Sequence, residues 1–159
     1  MSGKPHTFQR WDENEQSKGL YITSLYNYMP KGYKSSQTSI HYMCYHFVWC
    51  PKYRRPVLIG EVEKMAKQII QEKAKELGCE IQALEIMPEH IHLFIQATPL
   101  QSPNYLVAQF KGVTSHQLRK NFKHLLKLPT LWTRSYFVST HGHISDSLIK
   151  KYIEEQKGI

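Results

Sequence analysis

The sequence predicts an α+β protein in which four strands and two helices follow the order βαββαβ, with one more helix at the end. Three observations support this: a strand-like aromatic run near residue 45, two helical patterns of apolar residues, and two alternating segments joined by a proline turn. The chain has 159 residues, of which 41% are hydrophobic, and this is enough for one domain with its own core.

The first strand and the first helix are predicted from residue spacing. Residues 40–50 carry aromatic and β-branched side chains on both alternating faces, as in a central strand covered on both sides, and Pro51 ends this strand. Residues 61–77 place apolar side chains at helical intervals, and Gly78 is the expected stop signal.

A hairpin and a second helix follow. Residues 80–87 and 90–97 alternate as strands on either side of a tight turn at Pro88 and Glu89. Ser102 and Pro103 form an N-cap and a first-turn proline, which predict a helix to about residue 122.

The end of the chain completes the predicted fold. Residues 131–140 read as the fourth strand, Gly142 turns the chain, and Ser145 caps a final helix to about residue 157. This order is the ferredoxin-like plan, an antiparallel sheet with two helices on one face, which RNA-recognition (RRM-like) domains share. Residues 1–39 are polar and aperiodic, apart from a short strand predicted near residues 20–25. They are predicted to be a partly disordered extension before a folded domain at residues 40–159.

The charge distribution favours a polyanionic partner. Lys and Arg number 21 against 13 Asp and Glu, a net charge of +8, and no carboxylate occurs between Glu89 and Asp146. An excess of positive charge that serves only solubility is the alternative. No run of apolar residues is long enough for a membrane span, and no secretory signal is evident, so a soluble, intracellular protein is expected.

The three cysteines exclude some metal chemistry. Cys44, Cys50 and Cys79 form no C-x-x-C pair, so a structural zinc site or a zinc deaminase is not expected, and reduced thiols are predicted.

His90 and His92 are the first candidate functional residues. They lie two residues apart on a predicted strand, so both imidazoles leave the same face and can reach one divalent ion. The alternative is that two polar residues lie on the solvated side of a half-buried strand.

The final helix and a basic turn supply the other candidates. Tyr152 and Gln156 lie four residues apart on one helical face, where Tyr152 is either a nucleophile or a packing residue at the edge of the buried stripe. Lys52, Arg54 and Arg55 surround Tyr53, a combination that suits phosphate neutralisation and base stacking but is also common in surface turns.

Taken together, these segments resemble the single-tyrosine HUH transposases of small insertion sequences that move as single-stranded DNA. The resemblance covers residues 39–159 in family order, and a Met-Pro-acid-His-hydrophobic-His hairpin with a terminal Tyr-x-x-x-Gln is more specific than either motif alone. The matching segments are YHFVWCPKYRRPVL (45–58), LEIMPEHIHLFI (84–95), FKGVTSHQLR (110–119), LWTRSYFVST (131–140) and KYIEEQ (151–156).

The resemblance implies a role for each matching residue. His90, His92 and Gln156 would bind a divalent metal ion, Mg²⁺ or Mn²⁺, and Tyr152 would be the nucleophile that forms a 5′-phosphotyrosine. It further implies that residues 40–159 are the catalytic domain of a homodimer that binds single-stranded DNA with hairpin ends, with Tyr152 acting in either its own or its partner's site. The protein is then expected to be cytoplasmic and nucleoid-associated in a prokaryote. Residues predicted to bind DNA are Lys52, Tyr53, Arg54, Arg55, Lys111, Arg119, Lys120, Lys123 and Arg134.

Two features depart from the family pattern: the long N-terminal extension, and the histidines of His141-Gly142-His143 in a turn that more often has small residues. A non-catalytic single-strand binder that uses the same sheet is a second hypothesis, and it would require neither the histidine pair nor the Tyr-x-x-x-Gln spacing. A replication-initiator nickase with the same HUH site is a third, although such proteins usually have longer chains.

Overall fold

A computed structural model describes residues 32–142 and Lys151 of the 159-residue chain. The predicted helix from Ser145, including Tyr152 and Gln156, and the proposed strand near residues 20–25 lie outside the described residues.

The described residues form a mixed α+β fold whose main sheet is antiparallel throughout. Its four strands lie side by side in the order 80–87, 90–97, 43–49 and 137–141, the arrangement expected of the ferredoxin-like plan. A separate pair of two-residue strands precedes this sheet and crosses the predicted domain boundary at residues 39/40. The elements are β1 (Lys34–Ser35), β2 (Ile40–His41), β3 (Met43–Trp49), α1 (Glu61–Glu76), β4 (Glu80–Met87), β5 (His90–Ala97), α2 (Pro103–Asn121) and β6 (Phe137–His141), with short 3₁₀ turns at Lys52–Arg54 and Lys123–Lys127.

The first two predicted helices and the hairpin are confirmed to within one residue at their boundaries. Gly78 follows the C-cap of α1 with a φ of 67°, a left-handed conformation that glycine adopts without a Cβ penalty. The Ser102 side chain accepts a hydrogen bond from the Tyr105 backbone N–H at 3.2 Å, and Pro103 occupies the first turn of α2.

The hydrophobic core lies between the two helices and one face of the sheet. Alternate residues of β5 point into it, and Ile91, Leu93 and Ile95 are fully buried there. Phe47 of β3 and Phe110 of α2 are fully buried in the same core. Because the strand period is two, His90 and His92 must point to the opposite face of the sheet.

Two strand predictions are wrong in part. The first strand is interrupted at Tyr42, so that residues 40–41 pair with β1 and only Met43–Trp49 enter the main sheet. The fourth strand begins at Phe137 rather than at residue 131, because the chain before it makes only one bridge, between Trp132 and Pro51. The carbonyl groups of Thr133, Arg134 and Ser135 accept hydrogen bonds from the Lys111 ammonium group instead of from a neighbouring strand.

Trp132 anchors this irregular segment to the core. Its indole N–H donates a 3.0 Å hydrogen bond to the Thr114 hydroxyl group, which itself donates to the Phe110 carbonyl group at 2.6 Å. The ring also packs edge-on against Trp49, with centroids 6.1 Å apart.

We expect Trp132→Ala to lower the free energy of unfolding by about 3–5 kcal/mol, because it leaves a large cavity and removes the indole donor. Urea denaturation followed by circular dichroism measures this loss. Trp132→Phe is the matched control and should lose less than half as much, since most of the packing volume remains. A loss below about 1 kcal/mol for the alanine variant would contradict the anchoring role.

Candidate functional site

A cleft of about 650 Å³ opens beside the end of β3 and the starts of β5 and β6. His90 and His92 lie in its wall, and Arg54 of the basic turn lines the same space. The other lining residues are Val48, Trp49, Cys50, Glu89, Ser135, Tyr136 and Phe137. The cleft therefore brings together two of the three predicted metal ligands and one of the predicted DNA-binding cations.

The two histidines are packed against each other at the edge of this cleft. Their ring centroids are 4.8 Å apart and the ring planes are nearly perpendicular, at 79°. His92 is only 6% exposed, and the His90 side chain is 19% exposed. The solvated-strand alternative does not fit His92, because this side chain is almost completely removed from water.

Each histidine is held through its Nδ1 atom. His90 Nδ1 lies 3.0 Å from a carboxylate oxygen of Glu89, and His92 Nδ1 lies 3.0 Å from Nε2 of His46 on the neighbouring strand. In metal sites, a histidine ligand ordinarily holds its orientation by a hydrogen bond from the ring nitrogen that does not bind the metal. This arrangement leaves the Nε2 atom of each residue available to a metal ion.

Two buried polar side-chain atoms in the described residues have no hydrogen-bond partner, and both belong to residues of this cleft. They are Nε2 of His92 and Nε1 of Trp49. A buried polar group without a partner is costly, and such groups in folded proteins commonly mark a place where a ligand or ion binds. His92 Nε2 is therefore the atom that best fits a metal ion.

The ionisation of the site also suits a metal. Burial first, and then the neighbouring His90, lower the pKa of His92 to about 4, while Glu85 opposes the shift. Burial, His92 and His141 lower the pKa of His46 to about 4 as well. Both imidazoles are therefore neutral at physiological pH, which is the form that donates a lone pair to a cation.

No group of three or more His, Cys, Asp or Glu side chains within residues 32–142 has the arrangement of a metal site. A metal ion bound by the histidine pair would therefore need a further ligand, either a residue of another type or a residue outside 32–142. The predicted third ligand, Gln156, and the predicted nucleophile, Tyr152, are both outside the described residues.

The basic turn after β3 has a strained backbone. Tyr53 and Arg54 both have positive φ values, 61° and 49°, in the left-handed region that non-glycine residues seldom adopt. Tyr53 is 68% exposed, and the Lys52 ammonium group lies 5.2 Å from the centre of its ring. Backbone conformations of this kind cost free energy and cluster at functional sites, and here one of the two residues, Arg54, lines the cleft. Arg55 is exposed but is not part of the lining.

The predicted DNA-binding cations of α2 and the following segment fall into two groups. Lys111 and Arg119 are used within the protein: Lys111 donates to three carbonyl groups, and Arg119 donates to the carbonyl groups of Leu128 and Pro129. Burial lowers the pKa of Lys111. Lys120, Lys123 and Arg134 are exposed.

This difference gives a testable contrast between two lysines of one helix. Lys111→Ala should lower the free energy of unfolding by about 1.5–3 kcal/mol, because charge-assisted hydrogen bonds that hold the chain beside the cleft are lost. Lys120→Ala should leave stability unchanged within about 0.5 kcal/mol. Instead it should reduce the slope of log affinity for single-stranded DNA against log salt by about 0.7.

Urea denaturation and fluorescence-anisotropy titrations at several salt concentrations measure the two effects. The assignment is wrong if Lys111→Ala is as stable as the wild type and lowers only the salt slope.

Sequence reasoning did not single out His46, and it left His141 open. Both lie on the same face of the sheet as the histidine pair: the ring centroids of His46 and His92 are 5.2 Å apart, and those of His46 and His141 are 6.0 Å apart. His141 Nε2 is 3.0 Å from the Ser139 hydroxyl group. The alternation of β3 could have placed His46 on this face, but only the pairing register brings it to His92.

These features define an α+β protein with a ferredoxin-like sheet and a cleft walled by two histidines, of which His92 is buried and His90 is partly exposed. Comparison with known proteins identifies the family. A family model for IS200-like transposases matches residues 39–156, and the chain belongs to this family.

The relatives include the ISDra2 transposase TnpA of Deinococcus radiodurans, 34% identical over 134 residues, which are 82% of this chain and 96% of that protein. The transposase of insertion sequence element IS200 from Salmonella typhimurium is 30% identical over 115 residues, 70% of this chain and 75% of that protein. A crystal structure of a candidate transposase from Deinococcus radiodurans has 35% identity and a TM-score of 0.65, covering 77% of this chain and 97% of that one.

The match confirms the predicted transposase family and α+β fold. No helix in the described part of the chain is long and apolar enough to cross a membrane.

Proposed function

We propose that this protein cuts and rejoins single-stranded DNA at the ends of an insertion sequence through a covalent tyrosine intermediate. The observation that carries the proposal is the pair of histidines at the cleft, with the buried, unpartnered Nε2 atom of His92 beside His90. Membership of the IS200-like transposase family supports DNA as the substrate. A module that only binds single strands has no need for such a pair with a buried, unpartnered nitrogen atom.

The residues present fit a divalent cation. His90 and His92 would bind it through their Nε2 atoms, and Gln156 is the proposed third ligand. When bound, a divalent cation neutralises developing charge on the scissile phosphate. Imidazole ligands suit Mn²⁺ better than Mg²⁺, which prefers an all-oxygen shell, so we expect tighter binding of Mn²⁺.

The protein's own residues would carry the covalent step. The Tyr152 hydroxyl oxygen forms a bond to phosphorus, the bond from phosphorus to the 3′ oxygen breaks, and the phenol proton ends on the released 3′-OH. The product is a 5′-phosphotyrosine on Tyr152. A second 3′-OH can then attack this phosphorus and release the tyrosine, so the strand is rejoined without an external energy source.

Arg54 is the cation best placed to hold the DNA backbone in the cleft, because it lines the same space as both histidines. A guanidinium group binds phosphate oxygens in a fixed, bidentate geometry. Phe137 is 54% exposed at the same cleft and offers a ring face on which an unpaired base can stack. We propose Lys52, Tyr53, Arg55, Lys120, Lys123 and Arg134 as contacts outside the cleft.

The proposed assembly is a homodimer bound to single-stranded DNA with hairpin ends. A single domain at residues 40–159 would both bind the DNA and carry out the reaction, with residues 1–39 as an extension. The excess of positive charge, together with the carboxylate-free span between Glu89 and Asp146, supports a nucleic-acid partner.

A strand-labelling experiment tests the proposal. The full-length protein is incubated with Mn²⁺ and single-stranded oligonucleotides that tile both flanks of its own gene, each labelled at either the 3′ or the 5′ end. A 5′-phosphotyrosine keeps the downstream fragment, so only 3′-labelled DNA should appear in a covalent adduct on a denaturing gel. The 5′-labelled DNA should appear as a shortened free strand.

Mass spectrometry of the digested adduct should find the nucleotide on the peptide that contains Tyr152. Binding without cleavage of any oligonucleotide would instead favour the non-catalytic binder. A nucleotide attached to another residue would show that the nucleophile is wrongly assigned.

A further inference from the structure

His46 is a buried histidine that the proposed reaction does not use directly. It lies on β3, is 1% exposed, and stacks on the Phe94 ring of β5 with centroids 4.0 Å apart and planes 4° apart. Its Nε2 atom is 3.0 Å from Nδ1 of His92. A buried imidazole in this position can set the hydrogen-bonding state of the neighbouring ring.

The contact between the two imidazoles limits where their protons can be. Both rings are buried, and burial disfavours the charged imidazolium form, so each ring carries one proton. In a hydrogen bond between His46 Nε2 and His92 Nδ1, one nitrogen must donate and the other must accept. If His46 Nε2 accepts, His92 carries its proton on Nδ1 and has a lone pair on Nε2.

This tautomer is the one that can bind a cation through the unpartnered Nε2 atom. The opposite tautomer would place a proton on that buried atom, where the described residues offer it no acceptor. A neutral imidazole is a suitable acceptor for the proton on His92 Nδ1 in this buried position, because the desolvation of a charged carboxylate there would cost much free energy. At the more exposed His90, the Glu89 carboxylate is the corresponding partner.

We infer that His46 is a positioning residue that keeps His92 protonated on Nδ1, so that the Nε2 lone pair is available to a divalent cation. The inference rests on the proposed function for its metal-binding part. Its tautomer part concerns the metal-free protein alone. The two parts can therefore fail separately.

Two variants separate the hydrogen bond of His46 from its packing. His46→Phe keeps an aromatic ring to stack on Phe94 but has no acceptor. His46→Gln loses the ring but places an amide group near the position of Nε2, and its oxygen can accept the His92 proton. Thermal denaturation of both variants measures how much packing each one loses.

The first measurement is the tautomer of His92 in the full-length, metal-free protein near pH 7, by long-range ¹H–¹⁵N NMR of ¹⁵N-labelled histidine. The His92→Ala spectrum identifies the signals. We expect the Nδ1–H form in the wild type and in His46→Gln. In His46→Phe, we expect a shift toward the Nε2–H form. A wild-type spectrum with the proton of His92 on Nε2 would overturn the inference.

The second measurement is Mn²⁺ affinity without DNA, by isothermal titration calorimetry. We expect His46→Phe to bind about 10–100-fold more weakly than the wild type, and His46→Gln to recover most of that loss. Equal affinities of His46→Phe and the wild type would contradict the positioning role. So would an equal loss in both variants, because packing alone would then explain it. A wild-type protein with the Nδ1–H tautomer but no Mn²⁺ binding would refute the proposed metal site and leave the tautomer assignment supported.

Discussion

A Tyr152→Phe variant is expected to form no covalent protein–DNA adduct, with strand cleavage reduced at least about 10⁴-fold. Phenylalanine lacks the hydroxyl oxygen that forms the bond to phosphorus in the proposed reaction. The rest of the side chain is unchanged. DNA binding should stay within about twofold of the wild type, because the proposed contacts to the backbone come from other residues. The measurement is the initial rate of adduct formation on 3′-labelled DNA, with anisotropy titrations for binding.

Tyr105→Phe is the matched control for this experiment. Tyr105 is an exposed tyrosine on α2 that does not line the cleft, so its variant should form the adduct at the wild-type rate. An adduct that persists in Tyr152→Phe would show that another residue attacks the phosphate. Loss of the adduct in both variants would show that the assay reports something other than the identity of the nucleophile.

Mixing inactive subunits decides whether the tyrosine acts in its own subunit or in its partner's. Tyr152→Phe supplies intact metal ligands, and His92→Ala supplies an intact tyrosine. In a homodimer whose tyrosine completes the partner's site, a mixed dimer has one complete site, and mixing should restore part of the activity. If the tyrosine acts in its own subunit, the mixture stays inactive.

The elements that local spacing determines were predictable from the sequence. The apolar period of α1, the N-cap at Ser102 and the alternation of β4 and β5 are properties of short segments, and the structure confirms them. The face on which His90 and His92 lie follows from the same two-residue period.

The segment from residue 131 to residue 136 was mispredicted because its structure depends on distant side chains. Its alternating pattern is typical of a strand. However, the Lys111 ammonium group donates hydrogen bonds to the carbonyl groups that would accept them from a neighbouring strand. The Trp132 side chain is fixed by Thr114 of α2 rather than by a sheet. Contacts made by side chains far along the chain override local preference here.

The side chains that surround the proposed metal ligands could not be predicted from the sequence either. His46 and His92 are 46 residues apart, and their contact depends on the register in which β3 pairs with β5. The left-handed turn at Tyr53 and Arg54 has no glycine to signal it. Family resemblance suggested the proposed ligands and nucleophile, while the structure shows the side chains that contact His90 and His92.

His92→Ala is expected to reduce strand cleavage by about 10³-fold or more and to weaken Mn²⁺ binding strongly. The variant removes the Nε2 atom that best fits the cation. It also removes the partner of His46 Nε2 in a buried place, so some loss of stability is expected. Cleavage rates must therefore be measured well below the melting temperature of the variant.

Two further variants separate metal binding from stability. His90→Ala changes a partly exposed ligand, so it should lose metal affinity and cleavage with a smaller loss of stability. Gln96→Ala removes another buried polar side chain from the same face of β5, but not a proposed ligand, and it should keep the wild-type Mn²⁺ affinity. If cleavage falls in proportion to stability across all three variants, the proposed metal role is wrong. Loss of Mn²⁺ binding in the two histidine variants alone assigns the cation to the pair, because a general loosening of this face would weaken binding in Gln96→Ala as well.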